Sequence, residues 1–487
     1  MRPLALSVFI LLALLGSAGN SYHAEYFKPA HQLVGLGAER MGITQDVVEI
    51  RTKRMIESQT FIIMRDPDAL AGAQRVGDPK LQRIFQLSAA ASGFPADMLA
   101  AMCYLESFGN PYAESSAGPK GIMQFSEATG RAAGLKIVHV TRYKTTSEKK
   151  QVTLKNGRTV TRTVRHKTPY VVTVRDDRLI PERAIPAAAK YLARMVTKFG
   201  GQDWAVFAYH CGEGCVGDMQ SLAQAALKTD QPHTVASMFF AASPAYHREL
   251  FEAISFHMQR DYSPTYWFRV MRARELLQLY QSSPEDFRKL FVEYRNDADP
   301  SHRADQRLVV WLKGEDLLYH NYDDLRRASG KGLVKVFKKP DYFGFALQTY
   351  SSDPDLQDLY EQAAPSTVGT LLYIAWETHR LFDGLSSRNE QFVPLRVTEL
   401  VNTVEQERRR EPGSEIPVHC TGQVFDISTE DLPPSERECL NFILDEMGWD
   451  GYLGFRLIND GIIHIGCSPS SRDFFTQVYQ DALAAKG

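Results

Sequence analysis

The sequence predicts a multi-domain, mainly α-helical protein. A helical first domain carries a basic β-hairpin insertion, a helical middle region follows, and a smaller α+β module closes the chain. Three observations carry that expectation. Apolar residues recur at helix spacing through most of residues 79–385. Residues 136–175 instead alternate β-branched and polar side chains about Asn156-Gly157, a strong hairpin signal. After Pro394 the pattern mixes helical and strand-like segments.

At 487 residues the chain has room for roughly three domains of ~100–200 residues each. Hydrophobic residues make up 44% of it, enough to bury a core and too many for a disordered chain. The net charge of -2 gives no overall attraction to nucleic acid, and none is expected as a partner.

Taken in order, residues 1–19 read as a secretory signal: Arg2, an apolar run from Leu4 to Leu15, then Gly16-Ser17-Ala18-Gly19. The run is shorter than the about 20 residues a membrane span needs. No cysteine sits at its end for a lipid anchor, and no later segment is apolar enough to cross a bilayer. The expectation is an exported, soluble protein of the periplasm or cell envelope. Residues 20–75 read as a polar arm or short helices.

Residues 76–225 form the first domain. Leu81, Ile84, Phe85 and Leu87 mark one helix, and a second starts at Pro95 with Met98, Leu99, Met102 and Leu105 on its apolar face. Glu106 falls four residues after Met102 on that face, and Gly109-Asn110-Pro111 stops the helix. A carboxylate there is expensive unless paired or used. A salt-bridged core Glu is one reading. A group held for chemistry is the other, favoured by the following loop, where Ser115, Gly118 and Gly121 let a ligand approach the backbone.

In the insertion 136–175, eleven basic residues face only Glu148. Two readings stand: a solvated hairpin whose charges block edge pairing, or a grip on an anionic polymer near the cleft. Helix resumes at Ile185 and stops at Gly200-Gly201, and Asp203 reads as the N-cap of a helix over Trp204–Tyr209. Residues 226–385 are helical and rich in aromatics such as Tyr262, Tyr266, Phe268 and Phe287, which read as core. Residues 386–487 form the α+β module, with a helix through Val397–Arg410, strands near Val418–Ile427 and Gly461–Gly466, and a helix from Arg472.

Of the six cysteines, Cys211 and Cys215 lie beside His210, with Cys103 near Glu106. No Cys-x-x-Cys spacing supports a zinc cluster there, so a structural disulfide or buried thiols is expected.

A glycosidic bond breaks when an acid protonates the departing oxygen while positive charge builds at the anomeric carbon. A carboxyl group on an apolar helix face keeps its proton through desolvation. Glu106 fits that need, with Tyr209 placed to hold it.

These residues resemble a known family. Glu106-Ser107, Asn110-Pro111, Ser115, Gly118, Gly121 and Met123-Gln124-Phe125 resemble the first signature of the lytic transglycosylases of glycoside hydrolase family 23. Ala208-Tyr209 with Gly212 and Gly214 resemble the second, although His210 and Cys211 stand where the family usually has Asn and Ala. The resemblance covers about residues 79–217. It implies a lysozyme-like domain that acts on peptidoglycan without a cofactor and leaves 1,6-anhydro-muramyl ends. Glu106 would serve as the single acid and base, Tyr209 would orient it, and Ser115, Gly121, Met123, Gln124 and His210 would contact sugar. A hydrolytic muramidase, with Glu114, Asp177 or Glu182 as second carboxylate, and a non-catalytic peptidoglycan-binding scaffold are the alternatives.

In the C-terminal module, His419, Gly422, Asp426 and His464 resemble the zinc site of D-Ala-D-Ala carboxypeptidase-type metallopeptidases. Two His and one Asp suit zinc with an open position. The resemblance places a general-base Glu three residues before the last His, where this chain has Gly461, with Asp460 one residue further back. The expectation is a module that keeps the fold without peptidase activity and binds stem peptides, with His419, Asp426 and His464 as the candidate zinc ligands.

Overall fold

The computed structural model describes residues 27–33, 35–37, 43–227, 233–258, 265–296, 318–337, 340–349, 356–385, 389–410, 418–459 and 461–486. The expected signal sequence, Tyr262 and Asp460 lie outside the described residues. The chain divides into two compact units. One comprises Asp66–Glu213 and Arg269–Phe291, and the other the described parts of Met1–Arg65, Gly214–Phe268 and Val292–Gly487. No helix among the described residues is long and apolar enough to cross a membrane.

The larger unit contributes the first described helix, α1 (Gln45–Met64), and the smaller unit follows. Its helices are α2 (Ala69–Val76), α3 (Pro79–Ser92), α4 (Ala96–Ser107), α5 (Glu127–Ala132), α6 (Pro181–Phe199) and α7 (Gln202–Cys211). Their boundaries follow local chemistry. Asp78 caps α3 by accepting from Lys80 N, with Pro79 in the first turn, and Gly93 ends it in the left-handed region. Pro181 opens α6 and Gly200 closes it the same way. The N-cap of α7 is Gly201, not Asp203, which sits inside the first turn and favours the helix through its dipole. Phe85, Leu99, Met102, Tyr104, Ala188, Leu192, Val206 and Phe207 fill the interior.

Between α5 and α6 the chain forms a long antiparallel ribbon, β1 (Ile137–Thr153) and β2 (Thr159–Asp176), paired from Ile137↔Asp176 to Thr153↔Thr159. The tip is the turn at Asn156-Gly157: Gly157 N donates to Leu154 O, Arg158 N to the Asn156 side chain, and Gly157 has φ 79°. Nearly every ribbon residue is exposed.

The larger unit continues through α8 (Glu213–Leu227), α9 (Val235–Ala241), α10 (Arg248–Met258), α11 (Tyr266–Ser282) and α12 (Pro284–Asn296). Unit boundaries cut α8, α11 and α12, so residues 269–291 pack with the smaller unit. Beyond them come α13 (Tyr322–Ala328), β3 (Val334–Lys335), α14 (Pro340–Phe343), β4 (Phe345–Leu347), α15 (Gln357–Tyr360), β5 (Gln362–Ala363) and α16 (Pro365–Asp383). The last stretch holds β6 (Leu395–Glu399), α17 (Val404–Arg410), β7 (Val424–Ser428), α18 (Pro434–Trp449), β8 (Leu453–Asn459), β9 (Ile462–Cys467) and α19 (Arg472–Lys486). A five-stranded sheet in the order β4-β6-β7-β9-β8 is parallel at β4-β6 and antiparallel elsewhere.

Three expectations about boundaries change. The supposed middle region, 226–385, contains β3, β4, β5 and α16, and α16 shares one core with the sheet. Leu371, Leu372 and Ile374 of α16 join Val397, Phe425, Ile463 and Ile465 of the strands, so a boundary at 386 would split that core. Residues 20–75, expected as a polar arm or short helices, contain the 20-residue helix α1 and part of a core. Phe27, Leu33 and Leu36 belong to the same core, and Arg51 of α1 is buried against Glu446 and Asp450 of α18, with its guanidinium 4.3 Å from the Phe240 ring. Finally, the expected helix over 397–410 is β6 followed by α17, because Leu395 and Val397 are buried in the sheet while Arg396 points the other way.

Candidate active site

Glu106 sits in the last turn of α4. The helix ends because Phe108 takes a left-handed conformation, φ 48°, followed by Gly109 at φ 70°. A positive φ is costly for an aromatic residue, and packing holds it there. Its ring meets Tyr104 edge-on at 5.1 Å, Arg75 Nε donates to its carbonyl at 2.8 Å, and Gly72 leaves room for its Cβ. Ser107 Oγ donates to Ile122 O at 2.9 Å, tying the helix end to the next loop. The Glu106 residue is half-buried.

That loop is bound up in its own hydrogen bonds. Ser115 N donates to Pro119 O at 2.9 Å, Gly121 N to Ala113 O at 2.8 Å, and Gln124 Nε2 to Gly121 O at 2.9 Å and Ala113 O at 3.2 Å. Gln124 itself has φ 44°. Gly121 has φ 81° and lies so close to α6's leading turn that an added Cβ would stand 1.9 Å from Arg178 O. Arg178 in turn donates to Phe125 O at 3.1 Å. Met123 is fully buried, so its carbonyl, not an open side chain, is what it offers the site.

Tyr209, near the end of α7, donates its hydroxyl hydrogen to Met123 O at 2.6 Å rather than to the carboxyl group expected from the sequence. Its ring packs against Phe125 at 5.8 Å and Tyr191 of α6 at 5.9 Å. Burial first, then the Glu106 carboxylate, pushes the Tyr209 hydroxyl well above its ordinary pKa. The same two causes raise the Cys103 thiol. Glu106, Cys103, Tyr209 and Tyr191 thus form one electrostatic cluster. Tyr191 is a member the sequence reading missed. A helical spacing from α6 to α7 was legible, but aromatic packing between two helices is not.

His210 is exposed and Ser115 half-buried, with Ser115 Oγ accepting from Ala117 N at 3.2 Å. Cys211 and Cys215 are disulfide-bonded, whereas Cys103, Cys420, Cys439 and Cys467 are free and buried. Sulfurs consumed in a disulfide do not bind zinc as thiolates, so the imagined metal cluster at this turn falls away. The candidate second carboxylates are occupied or remote from burial. Glu114 is ion-paired to Lys120 at 2.6 Å, and Asp177 accepts from Arg175 at 2.9 Å, Arg183 at 2.7 Å and Lys136 N at 3.1 Å. Glu182 is exposed.

Residues 83–153 and 156–231 match the Transglycosylase SLT domain. The match includes Glu106, the loop through Phe125, most of the ribbon and Tyr209. The chain is also similar to the Peptidoglycan transglycosylase gp16 of Escherichia phage T7, 36% identical over 138 residues. That stretch is 28% of this chain and spans about 8% of the relative's length.

A second constellation lies in the larger unit. Glu399, Asp426, His464 and Arg456 are in register across β6, β7, β9 and β8, one row on one face of the sheet. His419, in the turn before β7, places Nε2 3.2 Å from Asp426 Oδ1, and His464 Nδ1 bonds the same oxygen. One ligand atom from each of the three lies within 4.8 Å of the others, and all three residues are buried. Burial pulls the His419 imidazole down, but Asp426 and then Glu399 outweigh it and raise it to about 10. Burial opposes ionisation of Asp426 too, yet the two imidazoles hold it well below the usual carboxylate range. His464 is lowered, chiefly by burial.

Two imidazoles and a carboxylate around one point suit zinc. His419 Nδ1 lies 2.7 Å from Leu400 O, the outer contact that fixes a ligating imidazole with Nε2 inward. The residues present therefore fit the metal. They do not supply a general base at Gly461, where the side chain of Glu430 fills the adjacent space and its carboxylate reaches Arg396 at 3.4 Å.

Proposed function

We propose that the smaller unit cleaves peptidoglycan glycan strands as a lytic transglycosylase, with Glu106 as the single acid and base. The observation that carries this reading is the half-buried place of Glu106 beside Tyr209, within residues that match the transglycosylase domain. Glu106 lies half-buried in the Tyr209 cluster, while Glu114 and Asp177 are committed to cations. A one-carboxylate mechanism is what such a site can run.

In that mechanism the protonated Glu106 gives its hydrogen to the oxygen linking N-acetylmuramic acid to N-acetylglucosamine. The C1–O bond breaks and positive charge develops on the muramyl ring. The Glu106 carboxylate then takes the proton of the muramyl 6-hydroxyl, whose oxygen bonds to C1. The product is a 1,6-anhydro ring, the acid is regenerated, and no water is consumed. Holding the 6-hydroxyl on the same sugar makes the second step intramolecular, which replaces a positioned water. Tyr209, with its hydrogen committed to Met123, would be free to accept a hydrogen bond from a protonated Glu106 and not to donate one. Ser115, Gly121, Gln124 and His210 would contact the sugars, Gln124 mainly by keeping the loop in shape. Such a substrate lies outside the cytoplasm, in keeping with an exported protein.

Glu106→Gln tests the assignment. It preserves shape and removes the proton, so release of glycan fragments from purified sacculi should fall by at least about 10²-fold with an unchanged circular dichroism spectrum. Turnover like that of the unaltered chain would refute it.

For the C-terminal constellation we propose a zinc-binding module without peptidase activity, which retains a carboxypeptidase-like fold. Zinc would be held by His419, Asp426 and His464 and would polarise a bound carbonyl or water there. Glycine at 461 has no side chain to take a proton from it. Metal analysis of the full chain after dialysis against zinc should give one ion, lost in His464→Ala. No stoichiometric zinc removes the site, and release of D-alanine from stem peptides overturns the inactive reading.

A further inference from the structure

The ribbon β1–β2 is an element the cleavage mechanism does not use. At about 3.3 Å per residue its 17-residue strand runs roughly 55 Å. An isolated two-stranded hairpin is marginal in water at best, and this one buries almost nothing along its length. Its root, by contrast, is anchored to the cleft. Asp176 pairs with Arg178 at 2.7 Å, Arg178 bonds Phe125 O, and the Arg178 carbonyl lies against Gly121. The ribbon is thus an extension of the loop that carries Gly121, Met123 and Gln124.

Tyrosines and cations are interleaved along that length. Tyr143 and Tyr170, 64% and 47% exposed, offer flat apolar faces about 20 Å along the ribbon from Ile137, with Arg142 and Lys144 on either side of Tyr143. Towards the tip lie Lys149, Lys150, Lys155, Arg158, Arg162, Arg165 and Lys167, all exposed and without an ion pair among the described residues. Glu148, the one acid of the ribbon apart from Asp176 at its root, faces His166 at 3.7 Å. Lys150 and Arg162 stand directly opposite each other in the register. Like charges in that position destabilise a strand pair, and an anion between them would reverse the sign. Lysines placed only to block edge pairing need no such facing pair. The chain as a whole is at -2, so the cationic concentration belongs to this element and not to the general surface.

We propose that the ribbon is a second substrate grip, in which the exposed tyrosines pack on sugar rings of a glycan strand lying along the ribbon and the cations beyond them bind the free carboxylates of stem peptides on the same strand. This rests on the peptidoglycan reading of the site. Several weak ionic contacts on one polymer act together through effective concentration. The grip therefore favours peptide-bearing glycan over bare glycan without touching the chemistry at Glu106.

The test uses the full chain, sacculi freed of accessory phosphate polymers, and the same glycan stripped of stem peptides by an amidase. The variant replaces Lys149, Lys150, Arg158, Arg162, Arg165 and Lys167 by Gln, and a companion exchanges Lys and Arg at those positions to keep the charge. The unaltered chain and the companion should bind sacculi about tenfold or more tighter than stripped strands. That preference should vanish in about 1 M salt, where the screening length is roughly 3 Å, and in the Gln variant. Cleavage of stripped strands should be equal in all three proteins. Undiminished sacculus binding by the Gln variant overturns the proposal, as does equal affinity of the unaltered chain for stripped strands. A loss confined to duplex DNA or anionic vesicles overturns it as well. If no protein cleaves either substrate the transglycosylase reading fails, while the binding comparison still decides the ribbon's role.

Discussion

Gly121 has no spare volume: the carbonyl of Arg178 occupies the place a methyl group would take, and the backbone stands at φ 81°. Gly121→Ala therefore meets both a hard contact and left-handed strain, of order 1–3 kcal/mol for the strain alone. The melting temperature should drop and cleavage with it, whereas Gly118→Ala, where nothing lies within 4 Å, should show the strain alone and a smaller drop. Equal melting temperatures for the two variants would mean the Arg178 contact is not formed. At this scale the sequence spoke clearly about where the proposed side chains sit. Glu106 on an apolar helix face and Tyr209 before a glycine turn were both legible. Their couplings were not: Tyr209 bonds the carbonyl of Met123, and Arg178 that of Phe125. A backbone carbonyl has no letter of its own, so no pattern could name it.

Among the elements, the ribbon was the plainest. Alternation and Asn156-Gly157 specify a hairpin from local chemistry alone, and the structure pairs it from Ile137 to Asp176 with one register shift at Val138/His139. The C-terminal end of α6 was legible for the same reason, since Gly200 is a single-residue stop. Harder were elements defined by what they touch. α16 is buried at almost every position, from Ser366 to Phe382. Such a helix reads alike inside a helical bundle or against a sheet, and only the contacts with Val397, Phe425 and Ile465 distinguish the two. α1 was hidden for the opposite reason. Its key buried residue is Arg51, a charge that reads as surface until Glu446 and Asp450 are brought to it from 395 and 399 positions away.

On the scale of the whole chain, two units are built from interleaved segments, so composition along the sequence cannot mark their edges. The larger unit also carries a titration of its own. Glu436 is fully buried, and burial raises its carboxyl group to about 8 from an ordinary 4.5, although Val393 N bonds it. Between those two values the unfolded chain gives up this proton while the folded unit keeps it. Folded stability from this group is thus complete below about 4.5 and is lost as the pH rises through 8. Glu436→Gln keeps the acceptor for Val393 and has no proton to lose, so its melting temperature should depend less steeply on pH across that window. An unchanged slope would mean Glu436 ionises as readily folded as unfolded.

The central claim is that one carboxyl group does all the proton work, and the ends it leaves on the glycan test it most directly. Mass spectrometry of sacculi digested by the full chain should find muramyl ends lighter by one water than hydrolysed ends, in the 1,6-anhydro form, and none with Glu106→Gln. Reducing muramyl ends would show that water attacks instead, and a second base would then have to be found. No new ends at all would leave the unit a binder of glycan.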